Sequence, residues 1–138
     1  MPTTGAFDFD VLLFDAGGVF VLPDPTVLGP LLAYYGGDLA IDTHRRAHYR
    51  AMAAKSSADS AEEFWHVYNA EYVRAVGVPD ADAQAAAEAL ERTRHGLLWR
   101  WPIPESVDAL RALHKADVPI GVVSNAGGQI ESILRRSG

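Results

Sequence analysis

Val11-Leu12-Leu13-Phe14-Asp15-Ala16-Gly17-Gly18 and Val118-Pro119-Ile120-Gly121-Val122-Val123-Ser124-Asn125-Ala126-Gly127-Gly128 are the two stretches whose reading decides the fold. Each is a short apolar run that stops at a polar residue followed by a glycine pair. That is the pattern of a strand buried on both faces and ending in a tight turn. Between Pro104 and Lys115, Val107, Leu110 and Leu113 recur at helical spacing with Ala109 and Ala112 beside them, so a helix leads directly into the second run. Strand, helix, strand and glycine turn together predict an α/β fold with a parallel sheet.

Residues 24–100 have a different character: alanine-rich, helical in period and without a convincing strand. Asp42 or Thr43 caps a predicted helix running toward Lys55. Ser60 and Glu63 form a capping-box pattern ahead of Phe64, Trp65, Val67, Tyr68, Tyr72 and Val76, and Gly77 and Pro79 end that helix. Another helix is expected from Asp80 or Asp82 to His95, with Gly96 as its C-terminal cap. Pro25 and Pro30 interrupt the first part of the block. The cluster Pro102-Ile103-Pro104 reads as the linker returning from it, and a short helix over 129–136 closes the chain. The expected organisation is therefore a core from 1–23 and 101–138 with a helical cap over 24–100 between its parts.

At 138 residues and 49% hydrophobic composition the chain has the material for one packed domain with an insert. A formal charge of -6 argues against a general nucleic-acid or anionic-membrane binder. The absence of cysteine excludes disulfides, thiolate metal sites and cysteine nucleophiles. No apolar run reaches the length of a membrane span, and 1–9 carry no basic start followed by an apolar stretch, so a cytoplasmic protein is expected.

In open α/β sheets, ligands bind beyond the carboxyl ends of the strands, where both glycine turns would lie. Asp15 there is a carboxylate suited to attack an electrophilic centre or to hold a divalent cation; the plainer reading is a turn aspartate bonding its own backbone. Ser124 can hold a phosphate oxygen, with the N–H groups of Asn125 and Ala126 adding an anion nest at a helix start; the plainer reading is a helix N-cap.

Taken together, Leu13-Phe14-Asp15-Ala16-Gly17-Gly18-Val19-Phe20 resembles the first motif of the haloacid dehalogenase-like (HAD) hydrolases, and Val122-Val123-Ser124-Asn125 resembles their second, with a helical insert where one branch carries its cap. The resemblance implies a Rossmann-like core and Mg²⁺-dependent phosphoryl transfer from a small phosphorylated metabolite through an aspartyl intermediate on Asp15. Asp15 and the backbone carbonyl of Gly17 would hold the metal. The Gly17 and Gly18 N–H groups, Ser124 and Asn125 would bind the phosphoryl oxygens.

Two departures from that pattern are explicit. Phosphatases of the superfamily carry an acid–base aspartate where this chain has Gly17, a loss felt most with an alkyl leaving group. The later lysine and acidic motifs are also missing, since Lys55 and Lys115 precede Ser124 and only Glu131 follows it. The sequence is accordingly read as the N-terminal part of a longer, truncated protein. A non-catalytic HAD-fold binding or regulatory module, or an inactive fragment, is the alternative.

Other candidates read as structural. Lys55 lies in a polar stretch and is expected to be a solvated surface lysine rather than a Schiff-base former. His44, His48, His66, His95 and His114 form no H-E-x-x-H pattern and are expected to be surface or half-buried. Phe64, Trp65, Tyr68 and Tyr72 are expected in the insert's own core, and Arg45, Arg46 and Arg50 on a solvated helix face.

Overall fold

The computed structural model describes residues 9–59, 61, 65–125 and 128–138. The described residues form a mixed α/β structure with two two-stranded sheets and six α-helices. β1 (Leu12–Phe14) and β4 (Ile120–Val122) pair in parallel, with Leu12 opposite Ile120, Leu13 opposite Gly121 and Phe14 opposite Val122. A parallel pair needs a crossover, and α5 (Pro104–Lys115) supplies its last leg. α5 has the bounds that its apolar period and N-terminal proline predict. It hands over to β4 through Asp117 in the left-handed region, φ 55°, while Val118 N–H donates to the Leu113 carbonyl.

The second sheet was not foreseen. β2 (Val21–Pro23) and β3 (Trp99–Pro102) form an antiparallel ribbon through which the chain enters and leaves the helical block. Pro102 and Pro104 hid it, because they suggest a linker; here Pro102 ends β3, as Pro23 ends β2, where a missing N–H is tolerated, and Pro104 opens α5. At the ribbon's end Asp24 caps α1 (Pro25–Ala33), accepting from the Thr26 N–H at 2.9 Å and the Thr26 hydroxyl at 2.6 Å. Its other oxygen accepts from Arg100 Nε at 2.6 Å. Burial pushes the Asp24 carboxyl up, but these hydrogen bonds outweigh it and hold the group below its ordinary value.

The main core lies inside the helical block. α2 (Ile41–Ser57), α3 (His66–Ala75) and α4 (Asp80–Thr93) pack around Leu28, Leu32, Ala47, Ala51, Tyr68, Tyr72, Val73, Val76 and Leu90. Tyr68 and Tyr72 are fully buried, as expected; Phe64 lies outside the described residues, as do Ser60 and Glu63 of the expected capping box. α2 begins earlier than Asp42 or Thr43. Asp38 instead accepts from the Ala40 N–H and the Thr43 hydroxyl just ahead of the helix. α4 stops at Thr93, and Gly96 opens a turn of 3-10 helix over Gly96–Leu98 rather than capping α4.

Two expectations about polar side chains are overturned. His44 and His48 are not surface groups. They are buried one turn apart on α2, and each shares a 2.9 Å hydrogen bond with a tyrosine hydroxyl one turn apart on α3, His44 with Tyr72 and His48 with Tyr68. The matching i, i+4 spacings make this seam possible. Lys55 is only 5% exposed: its stem is covered, its ammonium donates to the Ala61 carbonyl, and it sits 5.1 Å from the centre of the Trp65 ring. Arg94 lies over Trp65 and Tyr68 and donates to Asn69, whose amide donates in turn to Glu91. Arg45 and Arg50 lie on the solvated face expected of them, where they pair with Glu105 and Glu71.

The parallel sheet is less covered than a run of apolar residues suggests. One face turns Leu12, Phe14 and Ile120 inward, with Phe14 against Phe20 at 5.4 Å between ring centres. The other exposes Leu13 at 64% and Val123 at 60%, with Val11 beside them. Among the described residues nothing pairs with the outer edge of either strand. α6 (Ile130–Ser137) buries Ile133 and rests on β3, where the Ser137 hydroxyl donates to the Arg100 carbonyl. Among the described residues no helix is long and apolar enough to cross a membrane.

Two measurements check this architecture. Asp24→Ala removes a helix cap and the tie to Arg100, and is expected to lower unfolding free energy by about 2 kcal/mol in urea titration. Burial, together with the nearby Arg94, lowers His48 to about 4, below the 6.5 of an exposed imidazole, and burial also lowers His44. The unfolded chain therefore binds protons first as pH falls. Stability is expected to decline from pH 6.5 toward 4, with His48 responsible for up to roughly 3 kcal/mol of the loss. His48→Gln should flatten that part of the stability–pH curve.

Candidate functional site

The β1–β4 register sets the geometry. Asp15 is the first residue beyond β1, and Ser124 is the second beyond β4. The Val123 N–H donates to the Phe14 carbonyl at 2.8 Å, so the parallel ladder runs one step past the strands. Both residues therefore leave the sheet at the carboxyl ends of adjacent parallel strands. Asp15 is exposed, Ser124 is half-buried and Asn125 is exposed.

After Asp15 the chain folds into a tight turn around the buried Ala16. The Ala16 carbonyl lies within hydrogen-bonding distance of the N–H groups of Val19, Phe20 and Val21. The Asp15 carboxylate accepts from the Ala16 N–H at 2.7 Å, which fixes one oxygen and leaves the other directed away from that bond. The Gly18 N–H donates to the Val21 carbonyl at 2.8 Å. It thus serves the turn itself rather than an anion, contrary to the expectation that Gly17 and Gly18 together cradle a phosphoryl group. Gly18 has φ +74°, which a side chain would strain.

The second turn also differs from expectation. α6 starts at Ile130 with Gln129 as its N-cap, so Ser124 and Asn125 do not stand at a helix start, and neither is a helix cap. Ala126, whose N–H was expected to complete the anion nest, lies outside the described residues.

Three residues that the sequence reading did not assign to the site, Trp99, His48 and Tyr49, pack against the first turn. A Cβ at Gly17 would meet the Trp99 ring at 3.3 Å, and one at Gly18 would meet His48 Nε2 at 3.2 Å. The Tyr49 hydroxyl donates to the Gly18 carbonyl at 2.8 Å. His48 stands edge-on to both Tyr49 and Trp99, each 5.2 Å away between ring centres. Apart from that between the adjacent His48 and Tyr49, these contacts link positions about thirty to eighty residues apart, and no local spacing announces them.

The Asp15 carboxylate and the Gly17 carbonyl are hard oxygen donors of the kind Mg²⁺ accepts, and they are the groups that would hold such an ion here. Among the described residues no three histidine or acidic side chains converge on one point. Comparison with protein-family models, curated proteins and solved structures gave no match.

The Trp99 contact carries a test. Gly17→Asp, which puts a carboxylate two residues after Asp15, requires the Trp99 ring to give by a few tenths of an ångström and is expected to lower stability only mildly, by about 1 kcal/mol. Gly17→Asp combined with Trp99→Leu should recover part of that loss in thermal unfolding.

Proposed function

We propose that this chain is a haloacid dehalogenase-like hydrolase that transfers a phosphoryl group from a small phosphorylated metabolite through an aspartyl intermediate on Asp15. The observation that carries this reading is the parallel register of β1 and β4, which brings a carboxylate and a hydroxyl to neighbouring strand ends. In the forward step the Asp15 oxygen not bonded to Ala16 attacks phosphorus. The bond to the leaving oxygen breaks and that oxygen departs with the electron pair. Water then cleaves the aspartyl phosphate, releasing phosphate and restoring the carboxylate. Ser124 would hold a non-bridging oxygen, with Asn125 beside it. Mg²⁺, held by Asp15 and the Gly17 carbonyl, would supply charge screening between the carboxylate and the incoming phosphate.

Gly17 has no proton to give, so leaving groups stable as anions are favoured over alkyl alcohols. The Trp99 ring against Gly17 and the engaged Gly18 N–H support a second reading, a non-catalytic module that binds a phosphorylated ligand without turnover.

Phosphate release from para-nitrophenyl phosphate, whose leaving group needs no proton, separates the two. The hydrolase reading expects Mg²⁺-stimulated release that Asp15→Asn lowers by at least about 10³-fold. Equal turnover by Asp15→Asn refutes the nucleophile, and saturable phosphate binding without turnover favours the module.

A further inference from the structure

We propose that Tyr49 is the positioning residue through which the helical block holds the Asp15 turn, so that phosphoryl transfer at Asp15 depends on a hydroxyl donated from α2. The inference rests on the hydrolase reading for its consequence and on geometry for its cause. The Gly18 peptide is tied on both sides: its N–H donates to Val21 within the turn, and its carbonyl accepts from Tyr49 across 31 residues of sequence at 2.8 Å. The left-handed φ of +74° at Gly18 is a conformation that a glycine visits as readily as its alternatives. An external bond to its carbonyl therefore selects one among several accessible turn geometries. That choice sets where Asp15, three residues earlier, presents its free oxygen.

Tyr49 is itself held from behind. The His48 ring stands edge-on to it, with an interplanar angle of 68°, and His48 is tied by Tyr68 to the core of the helical block. An unbroken set of contacts thus runs from Tyr68 on α3 through His48 and Tyr49 on α2 to the Gly18 carbonyl. The hydroxyl is the one polar group of Tyr49, so Tyr49→Phe removes the bond and keeps the ring. Correct placement of a nucleophile is realised in the transition state, so its loss lowers kcat more than it raises KM.

The test compares wild type, Tyr49→Phe and Tyr49→Ala by amide hydrogen exchange and by steady-state hydrolysis of para-nitrophenyl phosphate with Mg²⁺. In Tyr49→Phe the Gly18 and Val21 amides are expected to exchange about tenfold faster while those of Tyr72 and Val73 in α3 are unchanged. The kcat is expected to fall about tenfold with KM within about twofold. Turn exchange in Tyr49→Phe equal to wild type would mean the ring only packs, and would overturn the proposal. Faster turn exchange with unchanged kcat would overturn the link to catalysis. If the wild-type chain releases no phosphate, the hydrolase reading fails on its own, and the exchange comparison alone decides whether Tyr49 holds the turn.

Discussion

The Asp24 carboxylate closes the loop on which the architecture depends. The chain leaves the β2–β3 ribbon at Asp24 and rejoins it at Trp99, so a long helical excursion must begin and end at one place. Asp24 marks its start by capping α1 and reaches Arg100 at its return, satisfying helix donors and a guanidinium with one buried group. The Asp24 N–H adds a backbone bond to the Leu98 carbonyl. With both ends pinned, the helical block builds its own core, and the turn after β1 is held at a fixed distance from α2.

Elements with a strong local signal were legible in the sequence. α5 and the general course of α3, α4 and α6 follow from apolar period and from Gly and Pro punctuation, and the parallel β1–β4 pair follows from two apolar runs with a helix ahead of the second. The β2–β3 ribbon was not legible, because Pro23 and Pro102 carry a loop signal that only strand pairing overrides. Burial of His44, His48 and Lys55 was equally hidden. A polar residue is placed inside by the partner it finds there, and Tyr72, Tyr68 and the Ala61 carbonyl are partners that the three-dimensional fold provides.

At the site, Asp15, Gly17, Gly18, Ser124 and Asn125 were chosen from two short motifs, and the strand ends bearing them are neighbours. What the motifs could not convey is how the turn spends its own donors. The Ala16 N–H goes to Asp15 and the Gly18 N–H to Val21, so the first turn is largely self-satisfied. Any anion held there must draw on the Gly17 N–H and on the second turn. The side chains packed against this turn, Trp99, His48 and Tyr49, come from the ribbon and from α2, far from it in sequence.

The bare side of the β1–β4 pair has a consequence for the folded chain in solution. Leu13 lies across Gly121, with Val11 and Val123 alongside, and the outer strand edges offer backbone groups with no described partner. Greasy side chains next to open amide and carbonyl rows are what strand addition between molecules requires. The described native surface therefore presents, with no unfolding needed, both the apolar side chains and the backbone rows onto which a further strand could be laid.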